Sequence, residues 1–165
     1  MIHSIDKLKI PSHPGLIEAL GRLAIAHTHL ELILRYVVKT LSELSVNDAL
    51  DATSGDSTSE VRRRIKKLFK EKKPVPSEET QLDSLLGAAR RLSEKRNAFL
   101  HSAWSQTEAG EIILKQEDHQ WGPAPSKEQV DQITDQIMGL ANKINDARLT
   151  GFISEVVKRH KETET

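Results

Sequence analysis

The chain has 165 residues, of which 37% are hydrophobic and 29% are charged, so its length and composition suit one domain with a single core. Lys and Arg together number 24, as do Asp and Glu, and this balance excludes net charge as a guide to nucleic-acid or membrane partners. The lack of cysteine excludes disulfide bonds and thiolate chemistry.

The N-terminal segment, residues 1–14, is predicted to form an irregular lead-in that ends at Pro11 and Pro14. It has no apolar signal core, and no stretch of the sequence reaches the roughly 18 continuous apolar residues that a membrane span needs. We therefore expect a cytoplasmic protein that has no membrane partner.

From Gly15 the pattern predicts a long first helix. Its apolar residues recur in steps of three and four, the spacing of a buried helix face, which we call a seam. The seam positions are Leu16, Leu20, Leu23, His27, Leu30, Leu34, Val37, Leu41 and Leu44. His27 is the seam position that is not apolar.

Small polar residues at 51–59 predict a flexible loop. A second helix is expected after it, because Ser57 and Glu60 have the spacing of a capping box. Prolines at positions 74 and 76 end this helix. Its outer faces carry a basic run made of Arg62, Arg63, Arg64, Lys66, Lys67, Lys70, Lys72 and Lys73.

The basic run has two interpretations. It suits contact with the phosphate backbone of RNA, for which the candidate residues are Arg62, Arg63, Arg64, Lys66, Lys67 and Lys70. The alternative is a solvated helix face, which the lack of interleaved aromatic residues favours.

A third helix is expected to be capped by Ser77, with Glu78 and Glu79 in its first turn. Its seam also contains one residue that is not apolar, Arg96. The seam consists of Leu82, Leu85, Ala89, Leu92, Arg96, Phe99 and Ala103. A charged seam residue needs a partner or a wet cleft, because an unpaired buried cation costs several kcal/mol.

Helical periodicity is lost between Ser105 and Trp121, where a small β-hairpin is expected. Ser126 and Gln129 then open a last long helix, which is expected to continue to Val157 with a kink near Gly151. Residues 158–165 are predicted to form a polar, fraying tail. The elements together predict an all-α fold: a helical bundle with long antiparallel helices and a small β-hairpin before the last helix, in one domain over residues 15–157.

The segment from Arg96 to His101, Arg-Asn-Ala-Phe-Leu-His, resembles the signature of the HEPN superfamily. That signature is an Arg and a His separated by four to six residues, with a polar residue after the Arg. A long first helix with a mid-helix acid, Glu31, and a closing helix after the motif agree with the family's architecture. The resemblance implies a metal-independent endoribonuclease that acts as a homodimer and needs no cofactor.

Carried over to this sequence, the resemblance makes His101 the general base or acid and Arg96 the group that holds the scissile phosphate. Asn97 would orient the His or contact phosphate, and Glu31 would position Arg96, with His27 in support. From the residues alone, a second interpretation stays open. His27, Glu31 and Arg96 would then form a structural network of polar groups that satisfy one another.

Helix geometry adds an expectation about assembly. Residues five apart, such as Arg96 and His101, lie about 140° apart around an ideal helix. A straight helix would not aim both side chains at one phosphate, so we expect a site shared across a two-fold axis or a distortion at the helix end.

Two other functions stay open. One is a HEPN-like module that binds a nucleotide, nucleic acid or protein without catalysis, for instance with an antitoxin or nucleotidyltransferase as partner in a toxin–antitoxin pair. The other is a structural interaction module whose polar seam residues fix helix register. The histidines do not have the spacing of a zinc site, so no metal ligand is assigned.

Overall fold

The computed structural model describes residues 8–164, so residues 1–7 of the predicted lead-in and Thr165 of the predicted tail lie outside the described residues. Within this part, 71% of the residues are helical and a small antiparallel sheet is present. The helices are α1 (Pro14–Ser42), α2 (Val46–Thr53), α3 (Thr58–Glu71), α4 (Pro76–Leu100), α5 (Lys127–Leu149) and α6 (Phe152–Glu164). The strands are β1 (Trp104–Gln106), β2 (Ile112–Lys115) and β3 (Trp121–Pro123).

The prediction of a mainly helical fold is confirmed. Among the described residues, no helix combines the length and apolar character that crossing a membrane requires.

Two helix starts follow the predicted capping boxes. Ser57 accepts a hydrogen bond from the backbone N–H of Glu60 at 3.3 Å, and its own N–H donates to the Glu60 carboxylate at 2.7 Å. Ser126 and Gln129 exchange the same pair of bonds, at 3.2 and 2.8 Å. These reciprocal bonds satisfy backbone donors that a helix start leaves without partners, so α3 and α5 begin where the sequence predicts.

Two other predicted boundaries are wrong. α2 occupies residues 51–53 of the predicted loop, because Ser45 caps a short helix by accepting from the N–H of Asp48 at 3.2 Å. Ser77 does not cap α4, which begins at Pro76, a residue with no N–H to satisfy. Instead, the Glu78 carboxylate accepts from the N–H of Val75 at 2.8 Å.

The predicted hairpin is extended to a three-stranded sheet of order β1-β2-β3. β1 and β2 pair with Trp104 opposite Leu114, and the turn between them contains Gly110 at a φ of 89°. β3 pairs on the other edge of β2, with Gly122 opposite Leu114. β3 begins where the predicted hairpin ends, at Trp121. The sequence does not predict it, because Gly122 and Pro123 are poor strand formers and this strand is held by its neighbour.

The last predicted helix is divided into α5 and α6 rather than kinked. The break falls at Thr150 and Gly151, whose N–H groups both donate to the carbonyl of Asp146 at 3.0 Å. A Cβ added to Gly151 would lie 2.9 Å from the Cα of Ala147, so this close approach requires glycine. α6 continues to Glu164 and therefore includes most of the segment predicted as a tail.

The chain forms two compact units. The first contains residues 8–27 and 92–136 of the described part, and the second contains residues 28–91 and 137–164. The buried apolar residues of the first unit include Leu16, Leu23, Ile113, Val130 and Ile133. Those of the second include Leu30, Leu34, Ile65, Phe69, Ile137, Ile144 and Ile153, and the rings of Phe69 and Phe152 meet edge to face with centroids 5.9 Å apart.

Candidate functional site

The motif lies where α4 ends in the first unit. The N–H of His101 donates to the carbonyl of Asn97 at 2.9 Å, which is the last bond of helical type. Trp104 then folds back, and its Nε1 donates to the carbonyl of Phe99 at 2.6 Å. This bond satisfies one of the carbonyls that a helix end leaves without a partner. His101 therefore lies one residue beyond the helix, at its junction with the sheet.

Three motif side chains come together at this helix end. Nη1 of Arg96 lies 3.0 Å from Oδ1 of Asn97 and 3.0 Å from Nε2 of His101. A guanidinium can only donate, so Nε2 of His101 is the acceptor and a neutral imidazole carries its proton on Nδ1. Asn97 and His101 are exposed and Arg96 is half-buried.

Of the two arrangements expected for Arg96 and His101, a site shared across a two-fold axis or a distortion at the helix end, the structure has the distortion. The angle of about 140° applies to an ideal helix, and His101 lies outside α4. The distortion at the helix end lets both side chains meet in a single chain. A second subunit is not needed to bring them together.

The first seam interruption, His27, has a partner in the same unit. Its Nε2 lies 3.1 Å from Oγ of Ser93, and both residues are buried. Sequence reasoning missed Ser93. The buried face of α4 consists of Leu82, Leu86, Ala89 and Ser93. The predicted seam has Leu85 in place of Leu86 and Leu92 in place of Ser93. Ser93 lies three residues before Arg96 and therefore near the same face of the helix. This spacing was the feature of the sequence that could have indicated Ser93.

Glu31 belongs to the second unit, where its Oε1 accepts a hydrogen bond from the hydroxyl of Thr58 at 2.5 Å. Arg96 belongs to the first unit. The pairing of Glu31 with Arg96 stays a prediction.

The basic run of α3 does not act as one patch. Arg64 pairs with Asp56 at 2.8 Å, and Lys72 pairs with Glu43 at 3.0 Å. Hydrogen bonds from Lys161 and from Lys72 lower the pKa of Glu43. Lys67 and Lys70 are exposed. Arg62, Arg63 and Lys66 line a groove that α3 forms with α4 in the second unit.

The three polar residues of the motif lie outside the lining of a large cavity in the same unit. A cavity of about 770 Å³ in the first unit is lined by Ala98, Phe99 and Ser102 of the motif region, together with sheet residues and the start of α5. Arg96, Asn97 and His101 are not among its lining residues. Because Asn97 and His101 are exposed, the candidate site suits a large substrate better than an enclosed small molecule.

Within residues 8–164, no group of three or more His, Asp or Glu side chains is arranged to hold a metal ion. Comparison of the chain with protein-family models, with curated proteins and with solved structures found no match.

Proposed function

We propose that this chain is a HEPN-like endoribonuclease of the cytoplasm that cleaves RNA without a metal ion and assembles as a homodimer of antiparallel helical bundles. One observation carries the proposal. The guanidinium of Arg96 lies within hydrogen-bond distance of both Asn97 and His101 on an exposed part of the first unit. These are the residue types that bind a phosphate and move a proton at neutral pH.

The proposed chemistry divides the work between two side chains. A phosphodiester is charged and accepts hydrogen bonds from a guanidinium more strongly than a neutral imidazole does. Substrate would therefore draw Arg96 away from His101, whose Nε2 then accepts the proton of the ribose 2′-hydroxyl. The 2′-oxygen forms a bond to phosphorus as the bond to the 5′-oxygen breaks, which gives a cyclic phosphate, and the leaving 5′-oxygen takes a proton from solvent water. Arg96 stabilises the charge on the phosphoryl oxygens.

The state of Arg96 supports this role over a purely structural one. Its Nε is shielded from solvent and makes no hydrogen bond within the described part of the chain. A buried donor left unsatisfied costs roughly 1–3 kcal/mol. An arginine retained only to complete a polar network would have its donors satisfied.

A second candidate function has an observation in its favour. The Arg96–His101 hydrogen bond occupies the imidazole nitrogen that a general base would use. The same cluster would suit a HEPN-like module that binds a nucleotide, RNA or protein without cleaving it. In a toxin–antitoxin pair the protein partner would be an antitoxin or a nucleotidyltransferase.

A cleavage assay separates the two functions. We expect the wild-type protein to cut RNA in the presence of a chelator and to spare DNA of the same sequence, because the mechanism uses the 2′-hydroxyl. His101→Ala should slow cleavage by roughly 10²–10⁴-fold. His119→Ala, at an exposed histidine of the same unit, is the control and should cleave like wild type. A wild-type protein that cuts no RNA would leave only the binding function, and full activity in His101→Ala would reject the site.

A further inference from the structure

A groove of about 510 Å³ lies between α3 and α4 in the second unit, apart from the motif residues. Its lining contains five cations and one carboxylate, Asp83. The cations are Arg62, Arg63, Lys66, Arg90 and Arg91. Although the chain as a whole is neutral, this groove therefore concentrates positive charge.

The positions of the cations along α3 and α4 bring their positive charges together in the groove. Val61 and Ile65 are buried, which places Arg62 and Lys66 side by side along the edge of α3, about 6 Å apart in rise. The arginines at positions 90 and 91 come from the facing part of α4. Cations one turn apart on one helix and adjacent on another can contact more than one phosphate of an extended chain.

Leu86 and Gly87 of α4 also line the groove. A Cβ added to Gly87 would meet Nη1 of Arg91 at 3.5 Å, an ordinary contact. Glycine in a helix interior costs about 1 kcal/mol relative to alanine, and the backbone here does not require it. Its lack of a side chain does keep the groove open.

Asp83 pairs with one of the five cations that line the groove. Nζ of Lys66 lies 2.7 Å from Oδ1 of Asp83. The two side chains are 54% and 62% exposed, so solvent screens the attraction between them. The four remaining cations are arginines, whose planar fork matches phosphate oxygens in pairs. No aromatic residue lines the groove, so it lacks a platform on which a base would stack.

We propose that the α3–α4 groove binds the phosphodiester backbone of single-stranded RNA. The choice of RNA rests on the proposed function, whereas the recognition of phosphate rests on the groove itself. The groove supplies affinity for the substrate backbone and takes no part in the cleavage chemistry of Arg96 and His101.

The test measures binding of a fluorescent single-stranded RNA by anisotropy, in a His101→Ala background that leaves the probe intact. Arg63→Gln/Arg91→Gln removes one groove cation from each helix. We expect it to raise Kd about tenfold and to reduce the slope of log K against log salt concentration by about 1.4, which is about 0.7 for each lost phosphate contact. Lys143→Gln/Lys158→Gln removes the same charge from exposed positions of the same unit, outside the groove lining. This matched control should change Kd by less than about twofold.

A second variant tests the groove without changing charge. Gly87→Leu places a side chain in its lining, and leucine is a better helix former than glycine, so the melting temperature should stay the same or rise. We expect weaker RNA binding nonetheless. Equal loss of affinity in the groove variant and in its matched control, or unchanged affinity in Gly87→Leu, would overturn the proposal.

Two further arms distinguish the ligand and separate this inference from the proposed function. Binding of adenosine triphosphate without binding of RNA would overturn the choice of a polynucleotide. RNA binding that depends on the groove, in a wild-type protein that cuts no RNA, would leave the groove in place and reject the ribonuclease. RNA cleavage by a protein whose RNA binding does not depend on the groove would support the ribonuclease and reject the groove as the binding site.

Discussion

Nη1 of Arg96 lies 3.0 Å from Nε2 of His101, although the two residues are five apart in sequence and would diverge on a continuous helix. They meet because α4 ends at Leu100 and Trp104 binds the carbonyl of Phe99. The geometry of the motif is therefore a product of the helix end. Any substitution that let α4 continue past Leu100 would separate the two side chains.

This contact predicts the tautomer of His101. Because Arg96 can only donate, the neutral imidazole should carry its proton on Nδ1. Nitrogen-15 NMR in a solution alkaline enough to keep histidine neutral should detect this form. Arg96→Met removes the donor and should return His101 to the mixture of tautomers of a solvated imidazole. His119, an exposed histidine, is the internal control, and a wild-type His101 with its proton on Nε2 would contradict the contact.

The buried bond between His27 and Ser93 predicts a loss of stability on removal of the serine hydroxyl. Ser93→Ala should lower the free energy of unfolding by about 1–2 kcal/mol, because a buried polar ring loses a partner. Ser84→Ala changes the same residue type at an exposed position of the same helix and gains the same helix propensity. Urea denaturation gives the free energy of unfolding of both variants, and the difference between them isolates the hydrogen bond. Equal values for Ser93→Ala and Ser84→Ala would show that the bond contributes nothing to stability.

Helix starts were predictable where their chemistry is local. Ser57 with Glu60, and Ser126 with Gln129, lie three residues apart, so the residue types alone specify the reciprocal bonds. β3 was not predictable in this way. Gly122 and Pro123 are held in a strand by pairing with β2, and such pairing depends on tertiary structure.

The residues of the candidate site can be named from the sequence, but their arrangement cannot. The order Arg96, Asn97, His101 can be read from the sequence, whereas the end of α4 depends on a bond from Trp104 and on entry into the sheet. Ser93 was missed because Leu85 and Leu92 fit an alternative seam with the same spacing of three and four residues. The sequence pattern does not exclude that seam. The buried face is fixed only when the facing helix is in place.

Glu78 predicts a contribution to stability that depends on pH. Its side chain is 10% exposed and accepts hydrogen bonds from Arg159 at 2.7 Å and from the N–H of Val75 at 2.8 Å. Burial raises the pKa of Glu78, but these two bonds outweigh it, so the pKa lies below its ordinary value of 4.5. The unfolded chain therefore binds this proton more readily as the pH falls, and acid favours unfolding.

The contribution of Glu78 to the free energy of unfolding should be complete above the ordinary pKa of a glutamate. It should be lost as the pH falls through the lower pKa that Glu78 has in the folded protein. Glu78→Gln should lower the melting temperature at neutral pH, and its difference from wild type should narrow in acid. Glu79→Gln, at an exposed carboxylate of the same turn, is the control. A difference between Glu78→Gln and wild type that stays constant from about pH 7 to about pH 3 would contradict the ion pair.

The meeting of Arg96 and His101 in one chain also predicts the result of mixing two inactive variants, if the protein is the proposed ribonuclease. Arg96→Met and His101→Ala would each be unfolded, combined and refolded together, so that mixed dimers form. When both catalytic groups must come from the same chain, every site in the mixture lacks one of them. RNA cleavage should therefore be no faster than the sum of the two variants measured alone.

A site composed of Arg96 from one subunit and His101 from the other would behave differently. Half of the randomly formed dimers would be mixed, and each would hold one intact site, so about a quarter of wild-type activity would return. Restoration of this size would show that the contact within one chain is not the catalytic arrangement. Light scattering on the same samples tests the homodimer separately. A monomer at micromolar concentration would contradict the dimer and leave the single-chain site intact, because Arg96 and His101 need no second subunit to meet.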